Sequence, residues 1–288
     1  NGMKVFIGTV TTGACLSVVS QTKADNMFQI TPSASAAKVI ANDNCFQVCF
    51  TDPNQGTASA DYIASKGLAT KVAVIYNSSD AYSSGIYDNF KAEAAAKGLD
   101  LVASEAFTGD SKQDFSSQLS KIKASGAELI FLPIYYQEAS LILSQAKNAG
   151  ITAKFFGCDG LDGLLNIENF DKSLAENVML LTPFAANATD ETTKKFVAAY
   201  NAKYDPSTLN QFAADAYDAV YIVKAAAEKA GVTGDMSVSD ICNALKGAMT
   251  EITVDGVTGS GMTWKATGEV NKEPKAVKIE NGEYQPMD

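Results

Sequence analysis

The sequence contains no histidine and no arginine, so all 23 of its basic side chains are lysines. Without histidine, the chain cannot form a Ser-His-Asp or Cys-His catalytic site, a metal site with histidine ligands, or an imidazole proton relay. Without arginine, an anion must be held by lysine, by hydroxyl groups or by backbone N–H groups. Several large enzyme classes are therefore excluded, and no metal or cofactor is implied.

Long apolar runs and an excess of positive charge are also lacking. No apolar run approaches the roughly 18 residues that a membrane-spanning helix needs. The net charge of −10 argues against nucleic acid as a partner, because contacts between cationic side chains and phosphates supply most of that affinity. A length of 288 residues with 46% hydrophobic and 19% charged residues is typical of a globular protein of about two domains. A small ligand is the better expectation.

The five cysteines are too few and too scattered for a disulfide scaffold. Cys45 and Cys49 lie four residues apart in a segment predicted to be a strand. At about 3.3 Å per residue, their Cα atoms would be roughly 13 Å apart, which is too far for a disulfide. We expect both to be reduced and buried.

Short apolar segments alternate with longer amphipathic segments as far as Pro183, and several of the amphipathic segments end at glycine. This alternation predicts an α/β fold with parallel sheets that are covered by helices on both faces. The predicted strands are 3–10, 27–32, 45–51, 71–77, 101–107, 128–134, 153–159 and 177–183. The predicted helices between them are 55–67, 84–98, 113–125 and 137–149.

The character of the sequence changes after Pro183. Long Ala-rich helices are predicted near 189–203, 209–230 and 237–248, followed by a Gly/Thr-rich tail with the single Trp264. Two lobes would be joined by short crossings near 50–53 and 182–184. We therefore expect one lobe from 1–51 and 184–275, and a second lobe from 52–183 and 276–288.

Polar turns follow four of the predicted strands, at Thr11–Ala14, Ser33–Ser35, 77–82 and 158–160. Ligands of doubly wound sheets bind beyond the carboxyl ends of the strands, so these turns are the candidate contacts. Thr12 and Ser35 each precede a predicted helix, where a hydroxyl and free N–H groups can hold a carboxylate. The alternative is that Thr12, Ser35 and Asp159 are only helix caps.

The order of these segments resembles the branched-chain amino-acid-binding protein family of type I periplasmic solute receptors. The resemblance extends over the whole chain through GMKVFIGTVTTGA, ITPSAS, FTDPNQG, VAVIYNSSDAYSSG, DFSSQLSKIKASGAELIFLPIYYQEA, FFGCDGLD and NQFAADAYDAVY. It implies a type I periplasmic-binding-protein fold, with two doubly wound parallel-sheet lobes joined by a hinge. It also implies a receptor outside the cytoplasm, not an enzyme, that binds a leucine-, isoleucine- or valine-like amino acid between the lobes and delivers it to an ABC permease. Such a receptor is periplasmic, or a surface lipoprotein in a Gram-positive bacterium.

The resemblance also assigns roles to individual residues. It implies that Thr12, Ser33 and Ser35 meet the α-carboxylate of the ligand. The α-ammonium would be met by the Ser33 carbonyl, Tyr135 and Asp159. Tyr82 would close over the ligand from the second lobe, and Phe212 would line the side-chain pocket from the first.

The sequence departs from the family pattern at its start. Strand 3–10 resembles the third strand of the family, so we expect the first lobe to be incomplete and to lack an opening βαβα unit. That would expose the edge of strand 3–10, which native proteins avoid, unless another chain covers it, for example by self-association. A monomer would then bind its ligand weakly.

The sequence is also compatible with two other functions. One is a ligand-sensing receptor of the same fold that is not coupled to transport. The other is an enzyme that uses Cys158 or the carboxylates Asp110, Asp114 and Asp162.

Overall fold

The computed structural model describes residues 2–287, and it divides into two compact units. Unit 1 runs to Thr51 and resumes over Gln211–Glu273, whereas unit 2 comprises Asp52–Asn210 and continues from Pro274. The first crossing lies where the sequence placed it. Residues 184–210, which we expected in the first lobe, belong to unit 2.

Residues 184–210 are tied to unit 2 by hydrogen bonds at both ends. The Asn187 amide donates to Gln285 Oε1 at 3.1 Å, and the Asn166 amide donates to the Leu209 carbonyl at 3.2 Å. Between them, Phe184 packs edge-to-face on Phe196 with ring centroids 5.8 Å apart. These contacts involve side chains that no local sequence pattern marks, so Pro183 looked like a crossing when it only ends a strand.

Unit 1 is built on parallel strands. Its described residues contain a three-stranded sheet in the order β1-β2-β3. The strands are β1 (Val5–Ile7), β2 (Phe28–Thr31) and β3 (Cys45–Gln47). The helices are α1 (Thr12–Leu16), α2 (Val19–Ala24), α8 (Gln211–Ala230) and α9 (Val238–Met249).

The core of unit 1 lies between its sheet and the two long helices. Phe28 stacks on Phe46 with centroids 5.4 Å apart, and the apolar faces of α8 and α9 pack against this pair. Trp264 is buried and donates its indole N–H to the Gln47 carbonyl at 2.7 Å. The tail after α9 therefore closes one side of the sheet.

Unit 2 is larger, and its described residues contain a seven-stranded sheet in the order β10-β9-β8-β7-β6-β4-β5. Its strands are β4 (Lys71–Asn77), β5 (Asp100–Phe107), β6 (Leu129–Leu132), β7 (Lys154–Gly157), β8 (Met179–Thr182), β9 (Lys275–Glu280) and β10 (Glu283–Pro286). Its helices are α3 (Asp52–Ser65), α4 (Ala81–Ala96), α5 (Ser116–Ser125), α6 (Tyr136–Asn148) and α7 (Glu191–Asn201). Strands β4 to β8 are parallel and follow the 2-1-3-4-5 order of a doubly wound sheet. The last two strands are added antiparallel.

Helices cover both faces of this sheet, as the alternating pattern predicted. On one face, Phe90 of α4 stacks on Phe131 of β6 with centroids 4.1 Å apart. On the other face, α5 and α6 bury a second apolar cluster. Helix α3 lies so close to α4 that a Cβ atom at Gly56 would be 2.5 Å from the Ile86 carbonyl oxygen. Only glycine allows this approach.

The predicted helices and strands are all present, with most strands shorter than predicted. The first runs over Val5–Ile7 instead of 3–10. The N–H of Gly8 donates to the Ile30 carbonyl, and beyond this hydrogen bond the chain leaves the sheet. The expectation for these cysteines is confirmed, since Cys45 and Cys49 are both buried and are not joined in a disulfide.

Candidate functional site

The turn after β2 is the best-held polar segment of unit 1. Pro32 ends the strand, and Ser33, Ala34 and Ser35 follow. The Thr31 hydroxyl accepts from Ala34 N–H at 3.1 Å and donates to the Thr9 carbonyl at 2.6 Å. On the other side, the Gln47 amide donates to the Ala34 carbonyl at 2.9 Å. The turn is therefore fixed from two neighbouring strands, as a preorganised binding site requires.

Thr12 reaches this turn from the start of α1. Its Oγ1 accepts from the N–H groups of Ser35 and Ala36, both at 3.3 Å, and the side chain is 1% exposed. These two N–H groups are therefore already bonded to the Thr12 hydroxyl oxygen. The alternative that Thr12 and Ser35 are caps is wrong, because the N-cap residues are Thr11 and Ala36.

At Thr12 and Ser35, the hydroxyl groups are what this turn offers a ligand. Thr12 Oγ1 is already an acceptor, so its own proton remains to be donated. Ser35 Oγ is buried and has no hydrogen-bond partner within residues 2–287. A buried hydroxyl without a partner costs about 1–3 kcal/mol, and a carboxylate oxygen would relieve that cost.

Ser33 has a partner that sequence reasoning missed. Its hydroxyl donates to Asp215 Oδ2 on α8 at 2.9 Å, and Asp215 is fully buried. Asp215 also lies 3.7 Å from the buried Lys272 ammonium. The signal was available in the segment AADAYDAV, where aspartates three residues apart interrupt an apolar helix face. Phe212 lies three residues before Asp215 on α8 and is half-buried.

In unit 2, Tyr82 and Asp159 form one hydrogen-bonded group at the carboxyl ends of β4 and β7. The Tyr82 hydroxyl donates to Asp159 Oδ1 at 2.7 Å and accepts from Gly160 N–H at 2.9 Å. A Cβ atom at Gly160 would be 2.6 Å from this hydroxyl oxygen, so glycine is required there. The Asp159 N–H donates to Gln55 Oε1 at 3.2 Å. Gln55, on α3, is a second residue that sequence reasoning missed.

The Tyr82 hydroxyl stays protonated. Burial, followed by the nearby Asp159 carboxylate, raises the pKa of Tyr82 well above its ordinary value. Tyr82 is 1% exposed, so its hydroxyl orients Asp159 and its ring is internal. Tyr135 stacks on it with centroids 4.6 Å apart and is half-buried. Tyr135 is therefore the more exposed ring of this stacked pair.

Cys158 is poorly suited to nucleophilic chemistry. Its side chain is fully buried, and its sulfur lies 3.7 Å from the Ser59 hydroxyl oxygen. Burial raises the pKa of the Cys158 thiol well above its ordinary value, and a protonated thiol is a weak nucleophile. The remaining candidates of the enzyme hypothesis are dispersed, with Asp110 and Asp114 exposed and Asp162 buried.

Residues 2–287 contain neither a metal-binding cluster nor a helix suited to span a membrane. No group of three or more Cys, Asp or Glu side chains in this part of the chain is arranged to hold a metal ion. None of its helices is both long and apolar enough to cross a membrane.

Comparison with known proteins gives consistent relatives. The Leu/Ile/Val-binding protein homolog 3 of Brucella melitensis is 32% identical over 238 residues, which cover 82% of this chain and 63% of that protein. The leucine binding protein LivK of Thermotoga maritima is 25% identical with a TM-score of 0.87, over 99% of this chain and 79% of that one. LivJ of Streptococcus pneumoniae, solved with isoleucine, is 28% identical with a TM-score of 0.84, over 98% and 78%.

The chain spans less than two thirds of the length of the Brucella protein. The periplasmic binding protein family itself matches residues 1–283. This match and the two solved structures confirm both the resemblance to branched-chain amino-acid-binding proteins and the type I fold. The chain belongs to the periplasmic binding protein family.

Proposed function

We propose that this chain is a receptor for a small amino acid of the leucine, isoleucine and valine class, acting outside the cytoplasm and delivering its ligand to an ABC permease. The observation that carries the proposal is the buried Ser35 hydroxyl, which has no hydrogen-bond partner within the described residues. The Thr12 hydroxyl, which accepts from Ser35 N–H, belongs to the same turn. These two groups are matched to a carboxylate. Nothing in the chemistry of this turn requires the arginine that the sequence lacks.

The opposite end of an amino acid needs an anionic partner. Asp159 in unit 2 supplies one, held by the Tyr82 hydroxyl on Oδ1. A hydrogen bond to a charged group contributes about 1.5–3 kcal/mol. A few such bonds reach the roughly −8.2 kcal/mol of micromolar affinity once the costs of ordering are subtracted.

The names of the relatives support the ligand class. The Brucella protein is named for leucine, isoleucine and valine, and the Thermotoga protein for leucine. The Streptococcus protein was solved with isoleucine. Each of these ligands is a zwitterion with an apolar side chain, and the half-buried Phe212 is suited to contact such a side chain.

Calorimetric titration with leucine and two analogues tests the proposal. Leucinamide lacks the carboxylate, and 4-methyl-2-oxopentanoate lacks the ammonium. Leucine should bind saturably and more tightly than either analogue. Ser35→Ala should weaken the binding of leucine but not that of leucinamide. Asp159→Asn should weaken the binding of leucine but not that of the oxo acid.

Asp110→Asn, which alters an exposed carboxylate, is the control and should not change the affinity for leucine or for either analogue. Absence of saturable binding to leucine, isoleucine, valine and alanine alike would overturn the proposal. Binding of benzoate in preference to all of them would reassign the receptor to aromatic acids.

The proposal includes self-association through the edge of β1. In the described part of unit 1, this strand pairs only with β2, and Met3, Ile7 and Val10 are 52%, 38% and 40% exposed. An open apolar edge favours pairing with another strand. Sedimentation velocity should show concentration-dependent dimers that Ile7→Lys abolishes. A monomer at all concentrations would remove this part of the proposal.

A further inference from the structure

A buried polar chain runs through unit 1 behind Ser33. The Ser33 hydroxyl donates to Asp215, and Asp215 faces the Lys272 ammonium. Lys272 donates to Thr258 Oγ1 at 2.6 Å, and the Thr258 hydroxyl donates to Asp218 Oδ2 at 2.6 Å. All five side chains are at least nine-tenths buried. This series of hydrogen-bonded side chains ends at Ser33, in the turn after β2 that the proposed function assigns to the ligand.

The charges of these buried side chains do not balance. Among the described residues of unit 1, the buried charged side chains are Asp215, Asp218 and Lys272. In their ionised forms they sum to one negative charge. Asp218 is well compensated, because its oxygens accept from the N–H groups of Val257 and Thr258 at 2.8 Å. Asp215, which accepts the Ser33 proton, is one of the two carboxylates that contribute this negative charge.

The direction of the Ser33 hydrogen bond decides what Ser33 can offer a ligand. A serine hydroxyl has one proton and two lone pairs. Because the proton points to Asp215, Ser33 Oγ can only accept from a ligand. In this arrangement the Ser33 hydroxyl has no proton left to donate to a carboxylate.

We propose that Asp215 is a positioning residue that fixes the Ser33 hydroxyl as an acceptor and places negative charge behind it, so that this end of the turn selects a ligand with a cationic amino group. The inference rests on the proposed function and deepens it. Ser33 and Ser35 then divide the turn: Ser33 faces the ammonium of the ligand, and Ser35 faces its carboxylate. Lys272 limits the cost of burying Asp215, since an unpaired buried charge is strongly destabilising.

The test compares leucine with 4-methyl-2-oxopentanoate, which has the same side chain and carboxylate but no ammonium. The readout is the ratio of their two dissociation constants, measured by calorimetry. Asp215→Asn keeps an acceptor for the Ser33 proton and removes the charge. We expect it to reduce the preference for leucine at least tenfold, mostly through weaker leucine binding.

Ser33→Ala is the second variant, because Asp215→Asn leaves Lys272 without its carboxylate and can impair folding. It keeps the buried ion pair and removes the acceptor, so the preference for leucine should again fall by about tenfold. Asp218→Asn is the matched control: it is buried on the same helix, one turn further along, and makes no bond to Ser33. It should lower the unfolding temperature and leave the preference unchanged.

The outcomes separate the inference from the proposed function. If wild-type protein binds leucine and both Asp215→Asn and Ser33→Ala retain its preference over the oxo acid, the inference is wrong and the receptor function stands. Equal losses for both ligands would also overturn it, since they indicate a purely structural role. If wild-type protein binds no amino acid, the proposed function fails and the inference fails with it.

Discussion

The Tyr82 hydroxyl lies 2.7 Å from Asp159 Oδ1 and 2.9 Å from the backbone nitrogen of Gly160, so one phenol holds two consecutive residues of the turn that follows β7. Tyr82 and Asp159 are 77 residues apart in the sequence, and both are 1% exposed. The phenol stays protonated because burial and Asp159 raise its pKa. Asp159 Oδ1 is therefore held in place by the Tyr82 hydroxyl.

Tyr82→Phe removes this hydroxyl and keeps the ring stacked on Tyr135. Gly160 N–H and Asp159 each lose a buried partner, so the free energy of unfolding should fall by about 1–3 kcal/mol. Leucine affinity should fall as well, because Asp159 is no longer held in place. Chemical denaturation and calorimetry measure the two effects.

Tyr87→Phe is the control for this substitution. It lies on the same helix, stacks on Tyr76 with centroids 4.0 Å apart, and has no hydroxyl hydrogen bond within residues 2–287. It should change neither quantity appreciably. A Tyr82→Phe protein as stable as wild type would contradict the assigned geometry.

Ser35→Ala and Thr31→Val should have opposite consequences although both remove a hydroxyl from the same turn. Ser35 Oγ has no partner within residues 2–287, so its removal should leave the stability of the ligand-free protein unchanged or slightly raised and weaken leucine binding. Thr31 Oγ1 bonds Ala34 N–H and the Thr9 carbonyl, so its loss should destabilise the fold by about 1–3 kcal/mol. Thermal unfolding without ligand separates the two, and a destabilised Ser35→Ala protein would show that Ser35 has a structural partner.

Gly56→Ala should destabilise unit 2. The added Cβ would lie 2.5 Å from the Ile86 carbonyl oxygen and 2.7 Å from Phe90 N, and both are backbone atoms that move only if α3 and α4 separate. Overpacking of this kind costs about 1–3 kcal/mol. Gly247→Ala on α9 meets no atom within 4 Å and should instead stabilise its helix by up to about 1 kcal/mol. Denaturant titration of both variants checks the contrast, which would fail if both behaved alike.

Asp43→Asn should affect stability in a pH-dependent manner. The hydrogen bonds from Lys23 and then Lys246 lower the pKa of Asp43 to about 2, against about 3.9 in an unfolded chain. Because the folded pKa is the lower one, the stabilisation is fully present above about pH 4 and is lost as the pH falls toward 2. The groups are about half exposed, which limits the effect at pH 7 to less than about 1 kcal/mol.

The measurement is the difference in unfolding free energy between Asp43→Asn and wild type at pH 7 and near pH 2, each with and without added NaCl. The difference should shrink at low pH and in high salt, since solvent ions screen exposed pairs. Asp100→Asn, at an exposed position, is the control. A difference that is independent of pH would mean that Asp43 acts through packing.

The order of helices and strands was readable from the sequence to a large extent. The apolar segments at 71–77 and 101–107 correspond closely to Lys71–Asn77 and Asp100–Phe107, since buried parallel strands are continuous apolar runs. The position of the second crossing was not readable. It depended on contacts such as Asn187 with Gln285, which are distant in sequence.

The candidate site was predicted as a set of positions but not as a set of roles. Polar residues after strand ends were identifiable because a parallel sheet brings those ends to one edge. Which of them has a free proton was not identifiable. Ser33 and Ser35 are both serines and lie two residues apart, yet only Ser33 has a buried carboxylate as its partner.

The sequence by itself determined the fold class and the absence of guanidinium and imidazole chemistry, since both follow from residue identity and from local periodicity. The tertiary structure alone decided that the Ser33 proton points to Asp215, 182 residues away, and that Tyr82 is internal while Tyr135 keeps some exposure. The physical reason is that a side-chain hydrogen bond depends on the position of its partner in space. Local pattern sets only the strand or helix from which each side chain extends.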